Sequence, residues 1–316
     1  MLDLETYFAY ARKCNDVGIK CFSVINGTQV QTPQMAERMM CEGPSEITIS
    51  INSHRAEVHD RTRGVKGALD MVIKCFTLLL EARRKLNVVK PVNGMVLVCE
   101  QNYRELDDLY DLILNKIGAD KLKLNFLQPT FSKETAATDD SFFDDNVVKD
   151  YKGLRQIIEH CGQQYGLQFN PVWLHQVEMY HHSVANNPRR RLGWCQTKGT
   201  EEPICNSYDR NIMIDLYGNA QLCFNCIYKS FPIRHRGDLH DFWYNWSLPM
   251  RRKMVGCRRY CGISHSVRNT ESTLKPNAAG VSEAPVWPPS NRGGLYRRLS
   301  DWSGEVLDTL RTITRQ

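Results

Sequence analysis

Apolar runs of strand character alternate with runs of helical period through the first 172 residues, and no other feature of the chain narrows its fold as far. LETYFAYARKCND (4–16) carries apolar groups at helical spacing and is closed by Val17-Gly18; IKCFSVI (19–25) follows as a β-rich run bounded by Asn26-Gly27. A helix over 33–42, with Pro33 in its first turn, leads to the strand SEITISI (45–51). After a polar loop over 52–64, the stripe of Leu69, Val72, Ile73, Phe76, Leu79 and Leu80 predicts a long helix over 66–86. GMVLVC (94–99) then reads as a strand, 103–117 as a helix, KLKLNFL (121–127) as a strand, 128–146 as a loop, 147–165 as a helix and LQFNPV (167–172) as the last strand. Such alternation implies parallel strands joined by right-handed crossovers, so the fold class is α/β, either an open sheet or a barrel.

In both architectures ligands gather at the C-terminal ends of the strands. Those ends are Asn26-Gly27, Ser50–Asn52, Cys99–Gln101, Asn125–Gln128 and Asn170–Trp173. Most are polar and uncharged, which suits hydrogen bonding to a small molecule better than acid–base hydrolysis; Asn and Gly also simply terminate strands.

From about residue 205 the pattern changes. NIMIDLYGNAQLC (211–223) reads as a hairpin around Gly218-Asn219, and 237–254 as a helix interrupted near Pro249. Six of the twelve cysteines, Cys195, Cys205, Cys223, Cys226, Cys257 and Cys261, fall within 67 consecutive positions here. The spacing Cys205-x12-Gly218-x4-Cys223, with Cys257-x3-Cys261 later, lets four thiols converge from a hairpin and a tight turn on one soft-metal centre, an iron–sulfur cluster or structural zinc. The other six, Cys14, Cys21, Cys41, Cys75, Cys99 and Cys161, are scattered singly and read as small buried hydrophobes.

With 42% hydrophobic and 24% charged residues, the chain has an ordinary globular composition, and no apolar run approaches the roughly 20 residues that span a bilayer. The expectation is a cytoplasmic protein without membrane partners, its cysteines kept as thiols. Net charge is +6, with short basic clusters at Arg189–Arg191, Arg251–Lys253 and Arg258-Arg259. No nucleic-acid motif accompanies them, and a solvated face explains them.

Three stretches resemble radical S-adenosylmethionine (radical SAM) proteins that carry a SPASM- or Twitch-type auxiliary cluster domain. ITISINSHRAEVHDRTRG (47–64) is similar to that family's strand and His-Asp-x-x-Arg loop, FSVINGT (22–28) to its strand ending in Thr-Asn-Gly, and the Cys205–Cys261 module to its auxiliary-cluster domain. The resemblance implies a partial, TIM-like (β/α) barrel over 1–194 and a small α+β cluster domain over 195–266; a linker (267–294) and a short amphipathic helix (295–316) follow. It implies an auxiliary [4Fe–4S] cluster on Cys205, Cys223, Cys257 and Cys261, with Cys226 as the substitute ligand, and SAM contacts from Ser50, Arg63 and Asn52. His59 and Asp60 would order the loop. The implied activity is formation of a 5′-deoxyadenosyl radical that modifies a peptide or protein.

The chain departs from the family in lacking Cys-x3-Cys-x2-Cys; the nearest spacing, Cys257-x3-Cys261-x2-Ser264, ends in serine, and Gly-Gly-Glu is missing too. The expectation is therefore a barrel that begins about two strands in, from a truncated or split protein, with a complementary N-terminal half as a partner. The chain alone is expected not to cleave SAM. Two alternatives stay open: a non-catalytic peptide-binding protein that keeps the cluster as a staple, and a zinc-bearing RNA-binding module.

Overall fold

The computed structural model describes residues 3–127, 141–186, 208, 211–215, 217–222, 230–235 and 237–255. These fall into two compact units, the first holding 3–127 and 142–185, the second the described residues from 186 onward. Among the described residues no helix is long and apolar enough to cross a membrane.

The first unit is α/β. In chain order it runs α1 (Leu4–Asp16), β1 (Phe22–Ile25), α2 (Pro33–Cys41), β2 (Glu46–Ser50), α3 (Ala56–Arg63), α4 (Ala68–Leu86), β3 (Val92–Val98), α5 (Leu106–Tyr110), β4 (Lys121–Phe126), α6 (Ser141–Asn146), α7 (Tyr151–Gln164) and α8 (Pro171–Asn186). Helical turns extend α5 at both ends, so that 103–117 is helical throughout. The four strands pair in the order β1-β2-β3-β4, all parallel, as the alternation demands. Side chains mark the helix starts: Asp3 accepts the Thr6 N–H (2.9 Å), Thr32 that of Met35 (3.3 Å) and Asp150 that of Gly153 (2.9 Å).

The two faces of the sheet differ in chemistry. Ile47, Ile49, Val92, Val96 and Val98 are fully buried on one face, against which α4 packs. The other face carries Glu46, Thr48, Ser50, Asn93, Met95, Lys123 and Asn125. There the Lys123 ammonium donates to Glu46 and to the Thr48 hydroxyl (3.2 Å), and the Asn93 amide donates to Glu46 (2.9 Å). A parallel sheet buried in an apolar core on both faces reads as continuous Val, Ile and Leu. This one is partly polar on its second face, so it is not covered by apolar core on both sides.

Three sequence readings are corrected. The stretch 52–64 holds α3 rather than a loop only: Val58 and His59 are buried on one side, Arg61 and Arg63 sit in the last turn where the helix dipole favours cations, and Gly64 ends it at φ 66°. The stretch 167–172 is not a strand. The Asn170 side chain accepts the Val172 N–H (2.8 Å) and the Asn170 carbonyl that of Leu174 (3.0 Å), so α8 starts at Pro171, a residue suited to a first helical turn. The loop over 128–146 gives way to α6 at Ser141.

The second unit has a three-stranded antiparallel sheet of β5 (Met213–Ile214), β6 (Asn219–Gln221) and β7 (Phe231–Pro232). The hairpin turns at Gly218 (φ 74°), where the Asp215 carboxylate accepts the N–H groups of Tyr217 (2.9 Å) and Asn219 (2.8 Å). Helical turns from Asp238 to Val255, broken at Ser247 just before Pro249, pack Phe242 and Met254 on Tyr208, Ala220, Leu222 and Ile233. Arg251 is not a free basic residue: it donates to the carbonyls of Tyr208 and Trp243 (3.0 Å to the latter) and lies 3.7 Å over the Trp243 ring.

Because α8 depends on its cap, Asn170→Ala should lower stability to urea by about 1 kcal/mol. A strand over 167–172 would instead gain from losing Asn170, so an unchanged or raised midpoint would contradict the helical assignment.

Candidate functional site

The residues at the ends of β1, β2 and β3 are held by a buried polar network. Asn52, just past β2, is 6% exposed, and all its groups are engaged. Its N–H donates to His59 Nδ1 (3.0 Å), its amide nitrogen to the Thr62 hydroxyl (3.1 Å), and its side-chain oxygen accepts the Leu97 N–H (3.2 Å). Asn102, 3% exposed, closes the network from the other side. Its amide donates to the carbonyls of Asn52 (2.7 Å) and Leu97 (2.9 Å), while its oxygen accepts the Cys99 N–H (2.8 Å). The strand ladder stops at these positions, and the two carboxamides satisfy the backbone groups that it leaves.

This network positions α3. The Thr62 hydroxyl, besides accepting from Asn52, donates to the His59 carbonyl (2.7 Å), and Arg63 follows it in the last turn of the helix. Asp60 faces the other way and accepts the N–H groups of Gly67 (2.5 Å) and Leu69 (3.0 Å) at the start of α4. Those N–H groups hold its carboxyl below the usual carboxylate range. His59 and Asp60 thus order the loop, in keeping with the sequence reading. Asn102 was missed by that reading, although an Asn three residues beyond the strand residue Cys99 is a local signal for a side chain that bonds backbone.

Ser50 ends β2 on the polar face and is partly exposed, with Asn52 two residues on. The structure spends the whole Asn52 side chain on protein partners, so its place here is that of a clasp. Arg63 is half-buried, its Nε buried without a hydrogen-bond partner, and loss of water pushes its affinity for a proton down. A guanidinium in that state lacks an anion; a carboxylate suits its fork of donors. The residues present therefore fit the carboxylate of SAM. At the end of β1, Gly27 (φ 81°) lies so near α4 that an added Cβ would meet Val72 at 3.2 Å, and Asn26 turns back on the N–H of Thr28 (3.1 Å).

Of the cysteines, Cys14, Cys75, Cys99 and Cys161 are buried as expected, and burial pushes Cys75 and Cys161 up to about 12. Cys41, at the last residue of α2, is exposed, which corrects the reading of it as a core residue. Cys205, Cys223, Cys226, Cys257 and Cys261 lie outside the described residues, as does Cys195. Among the described residues no group of three or more His, Cys, Asp or Glu side chains is placed to hold a metal.

His59 is fully buried, and its proton sits on Nε2 because Nδ1 accepts from Asn52. Burial, reinforced by the Arg63 charge and opposed by Asp60, holds it at about 4 rather than 6.5; burial does the same for His181. As pH falls, the unfolded chain takes up these protons near 6.5 and the folded chain only near 4, so stability is full above 6.5 and declines between the two values. Melting curves from pH 7 to pH 4.5 should show this loss, and His59→Gln should flatten part of it. Asn102→Ala should cost about 3 kcal/mol in urea unfolding, since it orphans two buried carbonyls and one N–H.

No protein-family model matches the sequence. An AdoMet-dependent heme synthase of Methanosarcina barkeri is 29% identical over 123 residues, which are 39% of this chain and 33% of that protein. A protein of the same name from Nitratidesulfovibrio vulgaris is 30% identical over 128 residues, 40% of this chain and 32% of that protein. The matched part is thus about a third of the length of these curated relatives. The similarity supports the resemblance to radical SAM proteins, whereas the resemblance to auxiliary-cluster domains rests on the cysteine pattern.

Proposed function

We propose that the first unit is the SAM-carboxylate side of a radical SAM barrel, in which Ser50 and Arg63 hold the amino-acid end of SAM and Asn52, His59 and Asn102 fix the loops that carry them. The observation behind this reading is the half-buried Arg63, whose Nε has no partner within the protein and which ends a helix fastened to the end of β2. A buried donor left unbonded costs about 1–3 kcal/mol, a cost that a ligand anion at Arg63 would offset. SAM, when bound, would supply the radical chemistry; this chain's own residues would orient its carboxylate and exclude water from it.

The second unit would present Cys205, Cys223, Cys257 and Cys261, with Cys226 in reserve, to an auxiliary [4Fe–4S] cluster beside a peptide or protein substrate. Because the similar proteins are named heme synthases, a tetrapyrrole is the rival substrate class. Zinc is the rival metal, since four thiolates also suit its tetrahedral coordination.

Two measurements test this function. Arg63→Leu should abolish saturation-transfer NMR signals from SAM at millimolar concentration while leaving the melting temperature unchanged or raised, because a poorly solvated cation is removed. Equal SAM signals in both proteins would refute the assignment. Anaerobically purified protein should contain iron and acid-labile sulfide and show a broad visible absorption bleached by dithionite; stoichiometric zinc without colour would replace the cluster by a structural zinc site.

A further inference from the structure

The sequence scatters Cys14, Cys21 and Cys41, but the fold gathers them at the N-terminal end of the sheet. Cys14 lies near the end of α1, Cys21 directly before β1 and Cys41 at the end of α2. Hydrogen bonds fix the first two. The Ile19 N–H donates to the Cys14 carbonyl (2.8 Å), and Gly18, at φ 72°, turns the chain back after the helix. The Cys21 N–H donates to the Ser45 hydroxyl (3.2 Å), and the Cys21 carbonyl accepts the Glu46 N–H (3.3 Å). The two side chains meet as a result. Cys14 is 8% exposed, and burial, with the Cys21 thiol beside it, pushes its own thiol up.

Lys90, two residues before β3, stands at the same end. Its ammonium donates to the carbonyls of Met39 (2.8 Å) and Gly43 (3.2 Å), which flank Cys41 in the chain. Burial pulls that ammonium below its ordinary range, and the nearby Cys41 and Cys21 thiols oppose the shift. Cys21 is partly exposed, so it has a buried thiol next to it, a cation within reach and access to water. Cys75 and Cys161, by contrast, are fully buried, the surroundings in which a thiol is inert.

We propose that Cys21 and Cys14 form a reversible disulfide in response to peroxide, Cys21 as the attacking thiol and Cys14 as the resolving one. An accessible thiol with a second thiol poised beside it is the arrangement such chemistry needs, and a nearby cation favours the thiolate that attacks. The Cys21 thiolate attacks one oxygen of hydrogen peroxide, the O–O bond breaks, and Cys21 becomes a sulfenic acid. The hydroxide that leaves takes up the proton that Cys21 gave, as water. The Cys14 sulfur then displaces the sulfenic oxygen, its proton leaves with that oxygen as a second water, and the S–S bond forms. Two thiols lose two electrons and one peroxide is reduced to two waters. The new bond ties the end of α1 to the start of β1. It involves neither Ser50 nor Arg63, so it stands apart from the SAM reading.

The test uses the full chain, treated with a small excess of hydrogen peroxide, alkylated and digested with trypsin. Cleavage after Lys13, Lys20 and Arg38 puts Cys14 in peptide 14–20 and Cys21 in peptide 21–38. Mass spectrometry should find these two joined, and dithiothreitol added before alkylation should part them. In Cys14→Ser the sulfenic acid has no resolving thiol, so dimedone labelling of 21–38 should rise at least fivefold over the unaltered chain. In Cys21→Ser, labelling of 14–20 should stay at the level of untreated protein. Recovery of both peptides as free alkylated thiols after peroxide would overturn the proposal. So would a link from 21–38 to 39–55, the peptide that holds Cys41. Neither SAM nor metal enters these readouts, so their failure leaves the Arg63 reading untouched.

Discussion

Two buried carboxamides, Asn52 and Asn102, hold together the part of the molecule on which its candidate site depends. Parallel strands lose their ladder partners where they turn into loops, and at the ends of β2 and β3 the freed N–H and C=O groups are buried. Asn52 and Asn102 take up those of Leu97, Cys99 and Asn52 itself, then pass the constraint to His59 and Thr62. Asn52, Asn102 and His59 have almost no access to water, so removing either carboxamide orphans buried groups of its partners. The last turn of α3, and Arg63 with it, is fixed as a consequence.

The sheet shows the same division between support and site. Its helix-covered face is built of Ile and Val and carries the burial energy. The opposite face sets Glu46, Thr48, Asn93 and Lys123, which hydrogen-bond to one another, beside Phe22, Val24, Met95 and Leu97. Burying polar groups gains little net stability even when all are paired. A face of that composition is therefore not explained by folding stability alone.

Much of this was legible in the sequence, and the failures have physical causes. The strands with clear β-branched runs, EITIS and VNGMVLV, and the striped helix α4 appear within two residues of the expected positions, because their pattern and their packing agree. Helix α3 was hidden because only Val58 and His59 face the core, too few to show a period, although Gly64 and the arginines before it mark a helix end. LQFNPV looked like a strand by composition, yet Asn-Pro is also a helix start, and the cap decided the outcome. Ser50 and Arg63 were singled out by the resemblance alone. Asn102 was not, since what makes it matter is a carbonyl 50 residues away.

Arg63 differs from two other arginines of the protein in how its guanidinium is used. Arg251, in the second unit, is also partly buried, but it spends its guanidinium on two carbonyls and a tryptophan ring and so behaves as part of the packing. Arg38 is bonded at both ends of its fork to Glu5 (2.6 Å each) and likewise stays within the protein. Arg63 has the same side chain, with its Nε buried and without a hydrogen-bond partner. Selection for stability alone would replace such a residue with leucine or pair it with an acid, as Arg38 is paired with Glu5. On the proposed reading such an arginine would take an anion from outside, and the network behind it, from Asn102 through Asn52 to Thr62, would spare that anion the cost of ordering the loop.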